Sequence, residues 1–134
     1  MKHLTEAMAA NIFARAWNRL DPSEFIDYLD ADARCASQWV FTELVGREAI
    51  ADYLIPKMQT VAAHSAKSSD TEVFAELGST TRSFPDRDCV LMAQGDKNKI
   101  TAVVLFETVG EKITRYDLCI PELLDARRSG EYPE

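Results

Sequence analysis

Length, composition and charge exclude several classes of protein. The chain has 134 residues, of which 46% are hydrophobic and 28% are charged, so it has the make-up of a globular domain with a real core rather than of a disordered chain. Its formal net charge of −7 at pH 7 disfavours nucleic acid as a partner, because phosphate binding needs a basic surface.

Two helices are predicted at the start of the chain. From Leu4 to Leu20 the apolar residues recur at helical spacing, which indicates an amphipathic helix. Asp21 can cap a second, shorter helix that has Pro22 at its first position and ends near Asp30.

A strand and a third helix follow. Residues 34–41 tolerate a strand, and alternation places four of their side chains on one face: Cys35, Ser37, Trp39 and Phe41. Gly46 precedes a third helix, which Pro56 should kink or split because proline lacks the N–H that a helix interior needs. A polar connection at 66–70 ends the helical part.

The rest of the chain is predicted to form strands joined by turns. The predicted strands span 72–79, 89–94, 100–108 and 113–120, and short connections between the last three indicate antiparallel neighbours. The polar tail at 127–134 is expected to fray. With neither linker nor repeat, residues 1–134 are predicted to form one α+β domain. Two to three N-terminal helices would pack against a strongly curved antiparallel sheet.

Four short strings, spread over nearly the whole chain, resemble a known pattern. They are AWNRLDP at 16–22, DADA at 30–33, GREAI at 46–50 and EKITRY at 111–116. Their order resembles the nuclear transport factor 2-like superfamily, which implies a cone-shaped α+β fold. That superfamily includes ketosteroid isomerases, scytalone dehydratases, polyketide cyclases and epoxide hydrolases, and also non-catalytic binding modules, so the resemblance implies a fold and not one function.

The resemblance does not extend to the catalytic groups of ketosteroid isomerase. An ungapped comparison over 32–46 places the general-base aspartate of that pattern on Ser37. The phenol of its oxyanion hole falls on Phe13, and the neutral carboxylic acid falls on Val103. Serine is no base at neutral pH, and Phe and Val cannot donate a hydrogen bond to an enolate.

The same comparison implies a mostly apolar interior with a few hydroxyl groups, the usual make-up of a small-molecule site. The side chains expected to face inward are Phe13, Trp17, Leu29, Ser37, Tyr53, Leu54, Met58, Thr101, Val103, Leu105, Tyr116, Leu118 and Ile120. The predicted ligand-binding residues are Phe13, Trp17, Ser37, Trp39, Tyr53, Met58, Val103 and Tyr116. Trp39 either stacks on a ligand or plugs the wide end of the cone, and a filled core would show the same alternation.

Few ionisable residues are candidates for chemistry. Arg115 and Asp117 share a face of the last strand opposite Tyr116, which favours a cross-strand or intersubunit salt bridge on the outer face. Alternation points Glu107 toward the cavity or its rim, and His64 is either an exposed residue near a helix end or a general base.

Cysteine usage and the missing motifs argue against other sites. Cys35, Cys89 and Cys119 are an odd number without a close pair, so neither a disulfide framework nor a zinc site is expected. There is no phosphate loop, nucleophile elbow or metal-ligand cluster, so no cofactor or metal is expected. The longest apolar run, 102–106, is too short for a membrane span, and the N-terminus lacks the apolar segment of a signal peptide. A cytoplasmic location is therefore expected.

One leading hypothesis and two alternatives follow. The leading hypothesis is a homodimeric domain that binds a small apolar or aromatic molecule. The first alternative is an isomerase, dehydratase or cyclase of the same superfamily that acts on a small hydrophobic substrate through Glu107, His64 or Asp117. The second is a dimeric protein-interaction module with a filled interior.

Overall fold

The computed structural model describes residues 3–38, 40–65, 67, 71–81 and 86–134, with only the backbone described at 40, 41 and 123. In this part of the chain the helices are α1 (Glu6–Arg19), α2 (Ser23–Tyr28) and α3 (Arg47–Ser65). The strands are β1 (Leu29–Ser37), β2 (Val40–Val45), β3 (Val73–Thr80), β4 (Arg87–Gln94), β5 (Ile100–Val109), β6 (Lys112–Cys119) and β7 (Ala126–Arg128). A turn of 3₁₀ helix, Pro121–Leu123, precedes β7.

The described strands form one open mixed sheet with the order β2-β1-β6-β5-β4-β3-β7. The predicted α+β class is confirmed, and the sheet is antiparallel as predicted except that β1 runs parallel to β6. The other neighbouring pairs are antiparallel. A parallel pair needs a long crossover connection, and the chain from β2 through α3 to β5 provides it.

The strand predicted at 34–41 is divided between two strands. β1 begins earlier, at Leu29, and the chain turns back so that Ser37 pairs with Val40. Trp39 lies outside the described residues. The turn has none of the Gly, Asn, Asp or Pro residues that usually indicate a hairpin, so the sequence did not reveal β2.

Local interactions define both ends of α1. The Thr5 hydroxyl accepts a hydrogen bond from the Met8 backbone N–H at 3.1 Å, which caps the first turn. At the other end Leu20 adopts a left-handed conformation (φ 55°), and its N–H bonds the carbonyls of Ala16 and Trp17. The buried side of α1 packs across β3, β4 and β5, and α3 packs on β1 and β2.

α3 passes through Pro56 without a break, so the predicted split of this helix does not occur. Pro56 is exposed, and four buried residues on the other side of the helix attach it to the sheet: Ile50, Leu54, Met58 and Val61. Burial of that apolar side stabilises the helix against the loss of one backbone hydrogen bond. None of the helices in the described residues is both long and apolar enough to cross a membrane.

The faces of β5 are the reverse of those predicted. Ala102, Val104 and Phe106 pack in the main core beneath the helices. The inward orientation expected for Val103 and Leu105 is wrong, because both lie in a second cluster on the opposite face. That cluster also contains Cys89 and Leu91, with Leu124 and Ala126 packed against it. The middle of β5 is therefore apolar on both faces, so alternation along the strand does not indicate which face is inward.

The C-terminal tail, which its composition predicted to fray, is hydrogen-bonded to the rest of the structure. β7 pairs with β3, and beyond it the Leu77 N–H donates to the Glu131 carbonyl at 2.9 Å. The Asn18 side chain of α1 donates to the carbonyls of Pro133, at 2.6 Å, and Ala75, at 2.8 Å. The tail is therefore hydrogen-bonded to both the sheet and α1.

The three cysteines are free and buried. Burial raises the pKa of the Cys35 thiol to about 11 and that of Cys89 to about 12, so both are protonated at neutral pH.

Candidate functional site

A cavity of about 530 Å³ lies between the helices and the β1, β2 and β6 side of the sheet. α1 and α3 supply one wall, and the strands supply the other. The lining side chains come from Phe13, Trp17, Cys35, Ser37, Thr42, Leu44, Tyr53, Leu54, Met92, Tyr116 and Leu118. Its volume lies within the range of small-molecule pockets.

The described lining of this cavity carries no group that is ionised at neutral pH. Its polar atoms are hydroxyls, one thiol and one indole N–H. Burial raises the pKa of the Cys35 thiol to about 11 and that of the Tyr116 hydroxyl well above 10, so both groups are protonated at neutral pH. The cavity is therefore suited to an uncharged molecule, since an unpaired charge would be expensive to bury here.

Trp17 supplies the most unusual polar atom of the site. Its side chain is only 8% exposed, and its Nε1 is buried with no hydrogen-bond partner among the described residues. A buried indole N–H normally finds an acceptor, so this donor stands out.

A groove of about 520 Å³ adjoins the cavity and shares four lining residues with it: Trp17, Tyr53, Met92 and Leu118. Unlike the cavity, the groove is bordered by charged residues, namely Lys57, Lys99 and Glu122. Tyr53, which is 48% exposed, lies where the two spaces meet. The arrangement provides an apolar interior with a polar approach.

Two rings of the cavity lining, Phe13 and Tyr116, belong to a cluster of four packed aromatic rings. Phe13 of α1 contacts Phe25 at 5.0 Å, Phe106 at 5.3 Å and Tyr116 at 5.5 Å between ring centroids. Phe25 also meets Tyr116 edge-on at 5.3 Å. Such arrangements are favourable for aromatic pairs, and they hold this side of the cavity in one geometry.

The structure brings together five of the eight residues predicted to bind ligand: Phe13, Trp17, Ser37, Tyr53 and Tyr116 line the cavity. Met58 is buried in the core one helical turn from Leu54 but is not part of the lining. Val103 lies on the opposite face of the sheet, so its inclusion was wrong. Trp39 lies outside the described residues.

Four lining residues were not among those expected to face inward. Thr42 and Leu44 belong to β2, which the sequence did not reveal, although their alternation just before Gly46 is a weak strand signal. Cys35 was placed on the same strand face as Ser37 but was not counted among the inward-facing residues. Met92 lies on β4, and no pattern in the sequence separates its orientation from that of its neighbours.

The candidates for acid–base chemistry lie away from the cavity lining. Asp117 accepts hydrogen bonds from the Arg115 guanidinium at 2.9 to 3.1 Å on the outer face of β6, the face predicted for this pair, although the bond lies within one strand rather than across strands. Glu107 pairs in register with Arg115 on the same face, so its expected inward orientation is wrong. His64 is exposed near the end of α3.

The comparison with ketosteroid isomerase also needs one correction. Val103 does not face the cavity, and its neighbours Ala102 and Val104 face the core instead. Neither neighbour can donate a hydrogen bond, so no carboxylic acid stands at this part of β5. No group of three or more His, Cys, Asp or Glu residues in the described part of the chain could hold a metal ion.

No protein-family model and no curated protein matches this chain. Among solved structures, an NTF2-like protein of unknown function from Cytophaga hutchinsonii aligns with a TM-score of 0.58 at 10% identity, over 91% of this chain and 95% of its own. A SnoaL-like protein of unknown function from Burkholderia thailandensis aligns with a TM-score of 0.55 at 16% identity, over 96% and 100% of the two chains.

A third structure, from Catenulispora acidiphila, is described as having a ketosteroid isomerase-like fold and was solved in complex with trimethylamine. It aligns with a TM-score of 0.52 at 18% identity, over 85% of each chain. At such identities the likeness concerns the fold. The chain has the nuclear transport factor 2-like fold, as the four sequence strings predicted.

Proposed function

We propose that this protein binds a small, uncharged apolar or aromatic molecule in the cavity between α1, α3 and the sheet. The observation that carries the proposal is the cavity of about 530 Å³ whose described lining is apolar and aromatic with a few hydroxyl groups. This chemistry matches a ring-shaped ligand that gains its affinity from burial. A structural neighbour in complex with trimethylamine supports the view that this fold can accommodate small molecules.

Binding is favoured over acid–base catalysis by the same lining. It contains no carboxylate and no imidazole among the described residues, and a general acid or base must lie within hydrogen-bond reach of the reacting atom. Glu107 and Asp117 are on the other face of the sheet, on strands whose inward positions are apolar.

A thermal-shift screen with uncharged aromatic compounds tests the proposal, because a ligand that binds only the folded protein raises its melting temperature. Ser37→Phe places an aromatic ring inside the cavity and is expected to reduce affinity for any hit at least tenfold, by occupying its space. Val109→Phe adds the same ring at an exposed position (70%) and should leave affinity unchanged. Full binding by folded Ser37→Phe would place the ligand elsewhere, and a screen without hits would count against the proposal.

We further propose that the protein is a homodimer that pairs through the outer face of β1, β2 and β6. Charges of both signs lie together there: Glu43 accepts hydrogen bonds from Arg34 at 3.0 Å and from Arg115 at 3.5 Å, and Arg115 also bonds Asp117. The side chains of Glu43, Arg115 and Asp117 are about a third exposed, and that of Arg34 is 56% exposed. A two-fold axis would place such mixed charges opposite their counterparts in a second copy.

Arg115→Glu is expected to convert the dimer into a monomer at micromolar concentration, because it puts like charges opposite one another on both sides of the axis. Sedimentation velocity measures this directly. Lys67→Glu, an exposed charge reversal beyond the end of α3, is the matched control and should leave the dimer intact. A wild-type protein that sediments as a monomer at these concentrations would contradict the proposal.

A further inference from the structure

The cavity and the groove adjoin on both of their walls. Of the side chains that line both spaces, Trp17 and Tyr53 belong to the helices, and Met92 and Leu118 belong to the strands. Tyr53 is 48% exposed, so packing does not enclose its ring on every side. A ligand whose ring fills the cavity can therefore extend a substituent past these side chains into the groove.

The floor of the groove is suited to a hydrocarbon substituent. Its apolar lining includes Val61, Ala93 and Ala102, which are buried, and Val73 and Ile100, which are partly exposed. Methylene groups laid against these side chains leave water, and burial of apolar surface adds to affinity. The groove, at about 520 Å³, is nearly as large as the cavity, so it has room for a second part of the ligand.

The rim of the groove restricts the chemistry of the end of that substituent. Lys57, Lys99 and Glu122 are all exposed, and they carry charges of both signs. Exposed charges are hydrated and contribute little to an ion pair, and the net charge of −7 repels an anion at longer range. A hydroxyl or carboxamide group can instead accept a hydrogen bond from a lysine and donate one to Glu122 while it stays uncharged.

We infer that the groove is the second compartment of one binding site, and that the ligand is a neutral molecule in two parts. Its ring occupies the cavity, and a short aliphatic arm lies in the groove and ends in a hydroxyl or carboxamide group at the rim. The inference rests on the proposed small-molecule binding and specifies its ligand class.

Three matched probes test this inference by calorimetry: methylnaphthalene, naphthylbutanamide and naphthylbutanoate. The wild-type protein is expected to bind naphthylbutanamide about tenfold more tightly than methylnaphthalene, since burial of its two additional methylene groups changes affinity by about that factor. Naphthylbutanoate has the same ring and arm but a charged end, and it should bind more weakly than the amide because Glu122 and the net charge of the chain oppose it.

Two substitutions separate the compartments. Thr101 is exposed and lines only the groove, so Thr101→Phe should lower the affinity for naphthylbutanamide to that of methylnaphthalene, whose own affinity should not change. Ser37→Phe, inside the cavity, should weaken both probes. Thr114→Phe is the matched control, because Thr114 lines neither space. Like Thr101, which donates to the Met92 carbonyl at 3.3 Å, it donates to a carbonyl of the neighbouring strand, that of Glu107 at 3.2 Å.

A measurement on the wild-type protein does not depend on the folding of any variant. Naphthylbutanamide should shift the backbone amide resonances of Ala93 and Thr101 in the groove, and methylnaphthalene should leave them in place.

Equal affinities for methylnaphthalene and naphthylbutanamide, or a preference that survives in folded Thr101→Phe, would overturn the inference. The proposed function would still stand if Ser37→Phe abolished the binding of methylnaphthalene. Tighter binding of naphthylbutanoate than of the amide would overturn the neutral end group. Binding of none of the three probes would count against the proposed function itself.

Discussion

Replacing Phe13 with alanine is expected to lower the free energy of unfolding by about 4 kcal/mol, near the middle of the range for buried Phe→Ala changes. Phe13 is only 2% exposed and contacts Phe25, Phe106 and Tyr116. The neighbouring rings cannot move into the vacated space without losing their contacts with one another. The cavity left by the substitution should therefore contribute nearly its full destabilisation. Urea denaturation followed by circular dichroism gives the value.

Two further variants separate this packing effect from a general effect on α1. Met8→Ala removes a large side chain from the same helix at a position that is 50% exposed, and it should change stability by less than about 0.5 kcal/mol. Phe13→Leu retains most of the buried volume and should cost about half as much as Phe13→Ala. A loss of less than about 1 kcal/mol for Phe13→Ala would show that the rings repack easily.

The helices could be predicted because each has one apolar side and recognisable ends. Helical spacing between Leu4 and Leu20 located α1, and the buried side of α3 was evident from Ile50, Leu54, Met58 and Val61. Two of the strings that resemble the nuclear transport factor 2-like superfamily lie at the end of α1 and the start of α3, the string at 30–33 lies in β1, and the string at 111–116 spans the turn into β6. They indicated the fold because their residue types suit the local backbone conformation at those positions.

The sheet could be predicted only where one of its faces is polar. β6 alternates between partly exposed Arg115 and Asp117 and inward Tyr116 and Leu118, and its orientation was predicted correctly. β5 has apolar residues on both faces because the segment after β6 covers its outer side. That cover is formed by residues about twenty positions later in the chain, and no local pattern reports it.

The residues of the candidate site could likewise be predicted only in part. Phe13, Trp17 and Tyr53 project from predicted helices and were identified, whereas Thr42 and Leu44 depend on a hairpin without a turn signal. The absence of a hydrogen-bond partner for the Trp17 N–H could not be inferred from the sequence, because it depends on whether any neighbouring element places an acceptor beside the indole. Residue type and spacing can suggest that a side chain faces inward, but not whether its polar atom finds a partner there.

Glu76→Ala is expected to destabilise the protein by about 3 kcal/mol and to release the C-terminal tail. The carboxylate is 1% exposed as a residue and accepts hydrogen bonds from Arg128 Nε at 2.8 Å, the Gly130 N–H at 2.7 Å and the Tyr132 hydroxyl at 3.3 Å. Removing one partner of a buried ion pair costs about 3–5 kcal/mol, and the partial exposure of Arg128 (40%) favours the lower end.

Two measurements distinguish loss of this anchor from general destabilisation. Trypsin should cleave the variant after Arg127 and Arg128 much faster than the wild type, because both residues lie in β7, whose pairing with β3 the Glu76 contacts reinforce. Glu72→Ala, an exposed carboxylate just before β3, should change neither stability nor cleavage. If the tail of Glu76→Ala stays protected from trypsin, the backbone pairing of β7 with β3 and the hydrogen bond from Asn18 to the Pro133 carbonyl are sufficient to hold it, and the carboxylate is not the anchor.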